Sequence, residues 1–409
     1  MLSLKHAARM CAPPRTVAPV QKPINCRILL YSHDTFGLGN IRRTLLLAQE
    51  IIDQYPKAAV LLITGSQMIH SFRIPEGVDY IKLPCLDRID AERYQSRFLL
   101  DCSEAVKSTR SAIIERTVLG FEPDLMIVDK RPAGVDGELH DTLNALREHK
   151  FPTRLVLGIR DILDEPRRTR ESLKKNHSFD IIRDYYDEVW IYGSQSIFDT
   201  VNEYGFPADI ARITHYCGYL KRPTVAAGRN DGPPHVLVTT GGGGDGSPMI
   251  ETYLEGLSNL PRNVALQSTI VFGPQMSAAT RESLVNRFGY LSDVEFREFE
   301  PDLTELYAAA DVVVSMAGYN TVCELLSFGR NAILVPRAEP VKEQLIRARL
   351  LAGAGLFEIV EPNELTPEVL LGKVLGSLRD VAERPVRVDL QGLPRIRERV
   401  RELLEEKEQ

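Results

Sequence analysis

Three short segments of this chain have the residue types and spacing to hold a phosphorylated ligand. The first is Thr239-Thr240-Gly241-Gly242-Gly243-Gly244-Asp245-Gly246-Ser247-Pro248, between an apolar run at 235–240 and a helical pattern at 250–257. Glycine N–H groups approach a phosphate without interference from Cβ, and a following helix start adds partial positive charge. Gly241, Gly243 and Gly246 also satisfy G-x-G-x-x-G. A dinucleotide site would want an acid about 20 residues further on, near the end of the next strand. That end reads Val271-Phe272-Gly273, with no acid. The turn therefore reads as a diphosphate cradle, with a plain glycine turn as the alternative.

The second segment is His33-Asp34-Thr35-Phe36-Gly37-Leu38-Gly39-Asn40, followed by Ile41-Arg42-Arg43. Gly37 and Gly39 allow a tight strand-to-helix turn, but Arg42 stands where a dinucleotide fingerprint needs its third glycine. No G-x-x-x-x-G-K-[ST] is present, which disfavours a P-loop enzyme. The third segment runs Ser315-Met316-Ala317-Gly318-Tyr319-Asn320-Thr321-Val322-Cys323-Glu324 after an apolar run. Gly318 permits close backbone approach, and Asn320 or Thr321 is expected to cap the next helix. Glu324 then falls one turn inside, beside Val322, Leu325 and Leu326, where a carboxylate can accept both hydroxyls of a ribose.

These turns need a scaffold that presents strand ends. Short runs rich in Val, Ile and Leu at 27–32, 59–64, 125–128, 154–158, 188–192 and 213–216 alternate with helical patterns. A second series follows at 235–240, 268–271, 312–315 and 332–335. Continuous apolar runs of this length are the pattern of buried parallel strands, and the alternation implies right-handed βαβ units. The fold class is α/β, with two Rossmann-like doubly wound domains facing one interdomain cleft. At 409 residues the chain is long enough for two such cores. Lys-Arg-Pro and then Ala-Ala-Gly-Arg-Asn-Asp-Gly-Pro-Pro near 221–234 mark the linker. The expected division is an N-terminal arm at 1–23, an N-terminal domain at 24–222, a C-terminal domain at 223–393 and a last helix at 394–409. That helix carries Ile396, Val400, Leu403 and Leu404 on one stripe, so it packs back across the boundary or lies in solvent.

Composition narrows the function. Lys+Arg number 50 and Asp+Glu 56, for a net charge of −6, so a nucleic-acid partner is not expected. No apolar stretch approaches the roughly 20 residues of a spanning helix. The six cysteines form no C-x-x-C, and the eight histidines show no zinc-protease spacing, so no metal site is expected. The arm at 1–23 lacks the apolar core of a signal peptide and reads as a flexible arm. Its lack of acids also suits a transit peptide. The expected location is cytoplasmic, with peripheral contact at the inner membrane face compatible with the composition. A basic run, Arg167, Arg168, Arg170, Lys174 and Lys175, reads first as a solvated helix face and second as a contact for an anionic acceptor or lipid head group.

An ordered motif series carries a resemblance. Glu298-Phe299-Glu300, Tyr307-Ala308-Ala309-Ala310-Asp311 with the strand after it, Ala317-Gly318 to Glu324, Gly329 to Pro336, Glu343-Gln344 and Gly353-Ala354-Gly355 follow one another in this order. The series resembles the nucleotide-sugar-binding region of GT-B glycosyltransferases, with the peptidoglycan N-acetylglucosaminyltransferase and related bacterial proteins the nearest in pattern. Phe36-Gly37-Leu38-Gly39-Asn40 resembles the acceptor-side glycine loop of the same enzymes. Val128-Asp129-Lys130 and the segment 158–164 resemble less-studied bacterial relatives.

The resemblance implies transfer of a sugar, an N-acetylhexosamine in the nearest relatives, from a UDP-linked donor to an unidentified acceptor, with no cofactor. Backbone at Phe299 and Glu300 would hold the base, Glu324 the ribose, and Gly241, Gly242, Gly243 and Gly244 the diphosphate. Ala317, Gly318, Tyr319, Asn320 and Thr321 would close the pocket. Glu343 and Gln344 would hold donor-sugar hydroxyls, Arg222 would approach the nucleotide, and Gly37, Gly39 and Asn40 would lie near the reacting centre. Transfer would be inverting and metal-independent, with backbone donors stabilising the leaving diphosphate. Many such enzymes carry His where this chain has Asn40, and Asn cannot take a proton. Asp34 is the preferred base, with His33, Asp129 and Asp161 or an acceptor that needs no strong base as alternatives, and a plain turn cap as the other reading of Asp34. A nucleotide-sugar epimerase of the same architecture and a non-catalytic nucleotide-sugar binder are the rival readings.

Overall fold

The continuously apolar runs become strands whose two faces are both covered. A computed structural model describes residues 26–33, 38–89, 93–226, 232–261, 264–379 and 388–405, so the arm at 1–23 lies outside it. The N-terminal half contributes β1 (Arg27–Ser32), β2 (Ala59–Thr64), β3 (Val78–Lys82), β4 (Leu86–Arg88), β5 (Tyr94–Ser96), β6 (Leu125–Asp129), β7 (Arg154–Arg160), β8 (Glu188–Tyr192) and β9 (Thr214–Tyr216). Seven of them form a parallel sheet in the order β3-β2-β1-β6-β7-β8-β9, with β4 and β5 as a separate antiparallel pair. The C-terminal half adds β10 (His235–Thr239), β11 (Gln267–Val271), β12 (Val294–Arg297), β13 (Val312–Ser315), β14 (Asn331–Leu334) and β15 (Glu358–Ile359). These make a six-stranded parallel sheet in the order β12-β11-β10-β13-β14-β15.

Both sheets reverse their winding once, at β1/β6 and at β10/β13. Open α/β sheets bind ligands beyond the carboxyl ends of the strands at such a reversal. Here each reversal carries the segments picked out above. His33 ends β1, and the glycine turn ends β10 beside the 315–318 segment that ends β13. The architecture is the expected one: two Rossmann-like sheets that meet across a cleft.

Strands without a continuous apolar run escape a reading by hydrophobicity. β3, β12 and β15 are edge strands with alternating or partial burial and charged residues, and β4 and β5 are three residues each. Two central strands also run further than their apolar runs. β6 continues to Asp129 and β7 to Arg160, carrying charge out of the sheet edge. Asn320 and Thr321 do not cap their helix. Gly318 is the N-cap of helix Tyr319–Phe328, and no side chain caps it.

The last helix, Gly392–Glu405, packs on the N-terminal sheet. Ile396 and Val400 are fully buried and share one core with Ile41, Ala48 and Ile51 of helix Gly39–Gln54. Arg397 Nε donates to Glu50 at 2.7 Å and Arg399 Nε to Glu188 at 3.0 Å. The Tyr219 N–H donates to the Asp389 carbonyl at 2.8 Å, and Leu220 bridges Gln391, so the approach to this helix is also fixed. Among the described residues no helix is long and apolar enough to cross a membrane.

One buried ion pair joins the two sheets. Arg347, in helix Glu343–Gly353, donates through Nε and Nη2 to the two carboxylate oxygens of Asp161, just past β7, at 2.9 and 2.7 Å. The two residues are 0% and 1% exposed. Tyr219 donates to the same carboxylate at 3.0 Å, and Arg347 Nη1 donates to the Ala317 carbonyl at 2.9 Å. Removing one member of such a pair leaves a buried charge without compensation. Asp161→Ala is expected to lower unfolding stability by about 3–5 kcal/mol in urea titration. Ile396→Ala, which deletes apolar volume under the last helix, should cost about 2–5 kcal/mol. A change below about 1 kcal/mol in the first variant would mean that the pair does not hold the domains.

Candidate functional site

The cleft is built from the carboxyl edges upward. β10 delivers the glycine turn, in which Gly241 and Gly243 have φ of 67° and 94°. The two glycines differ in purpose. A Cβ on Gly243 would stand 2.5 Å from the Phe272 carbonyl oxygen, so this glycine is required by packing against the end of β11. A Cβ on Gly241 would meet nothing closer than Thr321 Oγ1 at 3.6 Å, so Gly241 keeps open space beside it. Gly242 is partly buried beside Gln275, and Gly244 is exposed. Helix Ser247–Ser258 starts immediately after the turn, with Pro248 in its first turn.

Gly241 lines a crevice with Thr239, Phe299, Glu300 and Pro301 on one side and Leu38, Arg42 and Phe72 of the N-terminal half on the other. The turn expected to hold a diphosphate and the segment expected to hold a base thus face one space. Glu300 is also paired with Arg297 at 3.4 Å.

Glu324 is buried, as the apolar helix around it requires, and it is not free. Its Oε1 accepts from Arg42, which reaches across from helix Gly39–Gln54, while its Oε2 has no hydrogen-bond partner among the described residues. Burial pushes the Arg42 guanidinium down, but the charge and hydrogen bond of Glu324 together with Tyr307 and Asp302 outweigh it and hold Arg42 above its ordinary pKa. Burial, and next the charge of Glu324, pushes the neighbouring Tyr307 hydroxyl well up. Asn320 is the other bridge. Its Nδ2 donates to the Gly39 carbonyl at 2.9 Å, and its Oδ1 accepts from Arg222 at 2.6 Å. Arg222 also approaches the Arg42 carbonyl at 3.4 Å.

Glu343 and Gln344 lie deeper. Glu343 is held by Arg160 at 3.0 Å and by Arg337 and Arg347 at 3.3 Å each. Burial alone would raise its carboxyl, yet the three arginines hold it below the usual carboxylate range. Arg337 also reaches Asp245 of the glycine turn at 3.3 Å, and its own N–H approaches Gln344 Oε1 at 3.5 Å. Glu343 and Gln344 are therefore wired to the turn through one arginine. Ala317 is fully buried, and its carbonyl accepts from Arg347. Tyr319 is 4% exposed and lies between the Arg43 and Arg347 guanidiniums, 5.7 and 5.9 Å from its ring centroid. It supports the arginines rather than walling the crevice. Thr321 is buried behind Gly241.

On the N-terminal side, Asp34 and Gly37 lie outside the described residues. Asn40, in the first turn of its helix, donates to the His33 carbonyl and accepts from Arg43 Nη2 at 3.0 Å. Arg43 Nε in turn donates to Asp129 at 3.1 Å. His33 is fully buried with neither ring nitrogen hydrogen-bonded among the described residues. Burial, then the nearby Lys130 and Arg131, hold its pKa well below the ordinary histidine value. Asp129 and Asp161, the alternative bases, each hold an arginine. Sequence reasoning missed the partners themselves: Arg42, Arg43, Arg337 and Arg347. The available signal was a pair of arginines, Arg347 and Arg349, among Leu345, Ile346, Leu350 and Leu351, of which the structure buries Arg347 and exposes Arg349.

Comparison with known proteins agrees with this layout. Residues 235–386 match the Glycosyltransferase family 28 C-terminal domain. The UDP-N-acetylglucosamine--N-acetylmuramyl-(pentapeptide) pyrophosphoryl-undecaprenol N-acetylglucosamine transferase of Haemophilus influenzae is 31% identical over 150 residues, 36% of this chain and 43% of that protein. The chain thus matches less than half the length of this curated relative. Among solved structures, the glycotransferase of kitacinnamycin superposes with a TM-score of 0.62 at 16% identity, covering 93% of this chain and 100% of that one. Acinetobacter baumannii MurG does so at 0.58 and 16%, over 92% and 99%. A putative UDP-N-acetylglucosamine 2-epimerase from Listeria monocytogenes reaches 0.62 at 11%, over 94% and 98%. The chain has the fold of the GT-B glycosyltransferases, and residues 235–386 within it resemble the C-terminal domain of glycosyltransferase family 28.

Proposed function

We propose that this chain is a glycosyltransferase that moves a sugar from a UDP-sugar to an acceptor, with inversion and without help from a metal. The observation that carries the reading is the juxtaposition of Gly241 with Phe299 and Glu300 across a narrow crevice, about 10 Å³ with Arg42 in place, at the reversal point of the second sheet. The base sits against 299–301, the ribose diol on Glu324, and the diphosphate on the turn from Gly241 to Gly244. Arg42, whose side chain is 20% exposed, moves off Glu324 when the ribose arrives. Glu343, Gln344 and Arg337 present polar groups to the donor sugar. The mechanism follows from charge. As the bond to the sugar's anomeric carbon breaks, that carbon turns cationic and the diphosphate gains negative charge. Backbone donors and the start of helix Ser247–Ser258 are aimed at that charge. Asn40 orients the acceptor hydroxyl, and Asp34 is the proposed base because Asp129 and Asp161 already hold arginines. The 31%-identical relative is named as a transferase, which supports this choice over the epimerase.

Peripheral contact with a membrane belongs to the same reading. Phe98, Leu99 and Leu100 are 69%, 57% and 60% exposed, and Ile89 is 50% exposed, beside Arg97 and the β4–β5 pair. Apolar side chains with adjacent cations suit an anionic bilayer surface.

Two measurements test these readings. In calorimetry, Glu324→Ala should weaken UDP binding about tenfold, the size expected for losing hydrogen bonds to a charged group. Unchanged affinity in a folded variant would remove Glu324 from the ribose site. In cosedimentation with phosphatidylglycerol vesicles, the pair Phe98→Ser and Leu99→Ser should bind several-fold more weakly while keeping wild-type UDP affinity. Equal sedimentation of variant and wild type would place membrane contact elsewhere.

A further inference from the structure

A second cavity, of about 610 Å³, opens at the carboxyl edge of the N-terminal sheet, apart from the donor crevice. Its lining includes six cations: Arg88 from β4, Lys130 and Arg131 after β6, Arg160 at the end of β7, and Arg168 and Lys175 on helix Pro166–Lys175. The basic run read as a solvated face is thus divided, with Arg168 and Lys175 turned to the cavity. Three carboxylates share the lining. Asp136 is bridged by Lys107 at 2.7 Å and Glu171 by Arg167 at 3.1 Å, both cations from outside the lining. Asp164 accepts the Lys342 N–H at 2.8 Å and pairs with Arg168 of the lining at 3.6 Å. The wall therefore keeps a positive excess.

Two of the six cations retain capacity for a ligand. Arg160 uses Nη1 on Glu343 at 3.0 Å, while its Nε is buried without a hydrogen-bond partner among the described residues. Lys130 has a φ of 73°, fixed by its N–H on the Gly158 carbonyl at 2.7 Å, and no ion pair is found for it among the described residues. Like charges held this close repel, and an anion relieves the repulsion. The volume suits a small organic ligand rather than a bare ion, and Pro132, Leu163 and Ile181 give part of the wall an apolar character.

We propose that this cavity binds the phosphoryl group of a phosphorylated organic ligand, with Lys130 and Arg160 as its principal donors and Arg131 adding positive charge beside them. Calling that ligand the acceptor rests on the glycosyl-transfer reading; the anion site itself does not. Binding is linked to pH. Burial, then Arg160, Arg131 and Arg88, bring Lys130 down to about 7, with Asp129 opposing them and the neutral His33 nearby. Below that value the ammonium is already formed. Above it, the anion must bring a proton with it, so affinity falls as the pH rises.

Calorimetry on the full chain tests the site with inorganic pyrophosphate, glycerol phosphate and dihexanoyl phosphatidic acid. The last two share a phosphomonoester and differ in their acyl chains, so tighter binding of one assigns the source as lipid or soluble. Lys130→Met and Arg131→Gln should each weaken binding about tenfold. UDP affinity should stay unchanged in both. Lys130→Arg should keep the affinity and flatten its decline above pH about 7. Failure of all three probes to bind overturns the proposal. So does binding that survives both neutral variants, which assigns the probe to the glycine turn, or a wild-type pH profile parallel to that of Lys130→Arg. Loss of UDP binding in the wild type would instead count against the donor site alone.

Discussion

A charge removed from water must meet its opposite, and that requirement organises the cleft of this protein. Arg347 and Asp161 are both fully buried and come from different sheets, 186 positions apart. Parting the domains would leave Arg347 with Glu343 of its own helix and Asp161 with Tyr219, without the two shorter charged hydrogen bonds of the pair. The pair therefore sets where the two carboxyl edges stand. Tyr219, Ala317 and Glu343 use the remaining hydrogen-bonding capacity around it. Tyr319, under the Arg43 and Arg347 guanidiniums, fills the space between them with an aromatic face. The segment from Ala317 to Glu324 thus has its first residues fixed from below by arginines and its last residue engaged from across the cleft.

The two halves end their central strands differently. In the C-terminal half the edges carry glycines and hydroxyls, which leave backbone N–H groups accessible. In the N-terminal half β6 and β7 run on into Asp129, Lys130, Arg160 and Asp161, which bring charge to the same level. One edge is shaped for a group held by backbone, the other for groups held by side-chain charge. Under the proposed reading, this asymmetry separates a donor side from an acceptor side.

Much of the scaffold was legible because buried parallel strands need uninterrupted apolar residues, as in Val236, Leu237 and Val238 or Val312, Val313 and Val314. The edge strands were not, since β3 and β12 bury only part of one face and tolerate Asp79 and Glu295. Glu324 stood out by its apolar helix, but nothing local could reveal Arg42 as its partner, 282 positions away. Likewise Gly243 is read in the sequence for its accessible N–H, and the structure adds a packing reason that the sequence does not show. Composition shows which residues are costly to bury. Only the tertiary fold shows what offsets the cost.

The Arg42–Glu324 contact has a consequence for ligand binding. Among the described residues Glu324 keeps one oxygen without a hydrogen-bond partner while the other meets a guanidinium from the opposite domain. A diol that donates to this carboxylate must compete with Arg42, whose helix also carries Asn40 and Arg43. Asn320 repeats the arrangement one turn earlier by holding the Gly39 carbonyl. Displacing Arg42 therefore disturbs the helix start at which the acceptor-side turn ends. Under the proposed reading, donor binding and the placement of Asn40 share one set of contacts. Occupancy of the ribose subsite is then felt at the reacting centre through this helix, while the buried Asp161–Arg347 pair keeps the two domains in register.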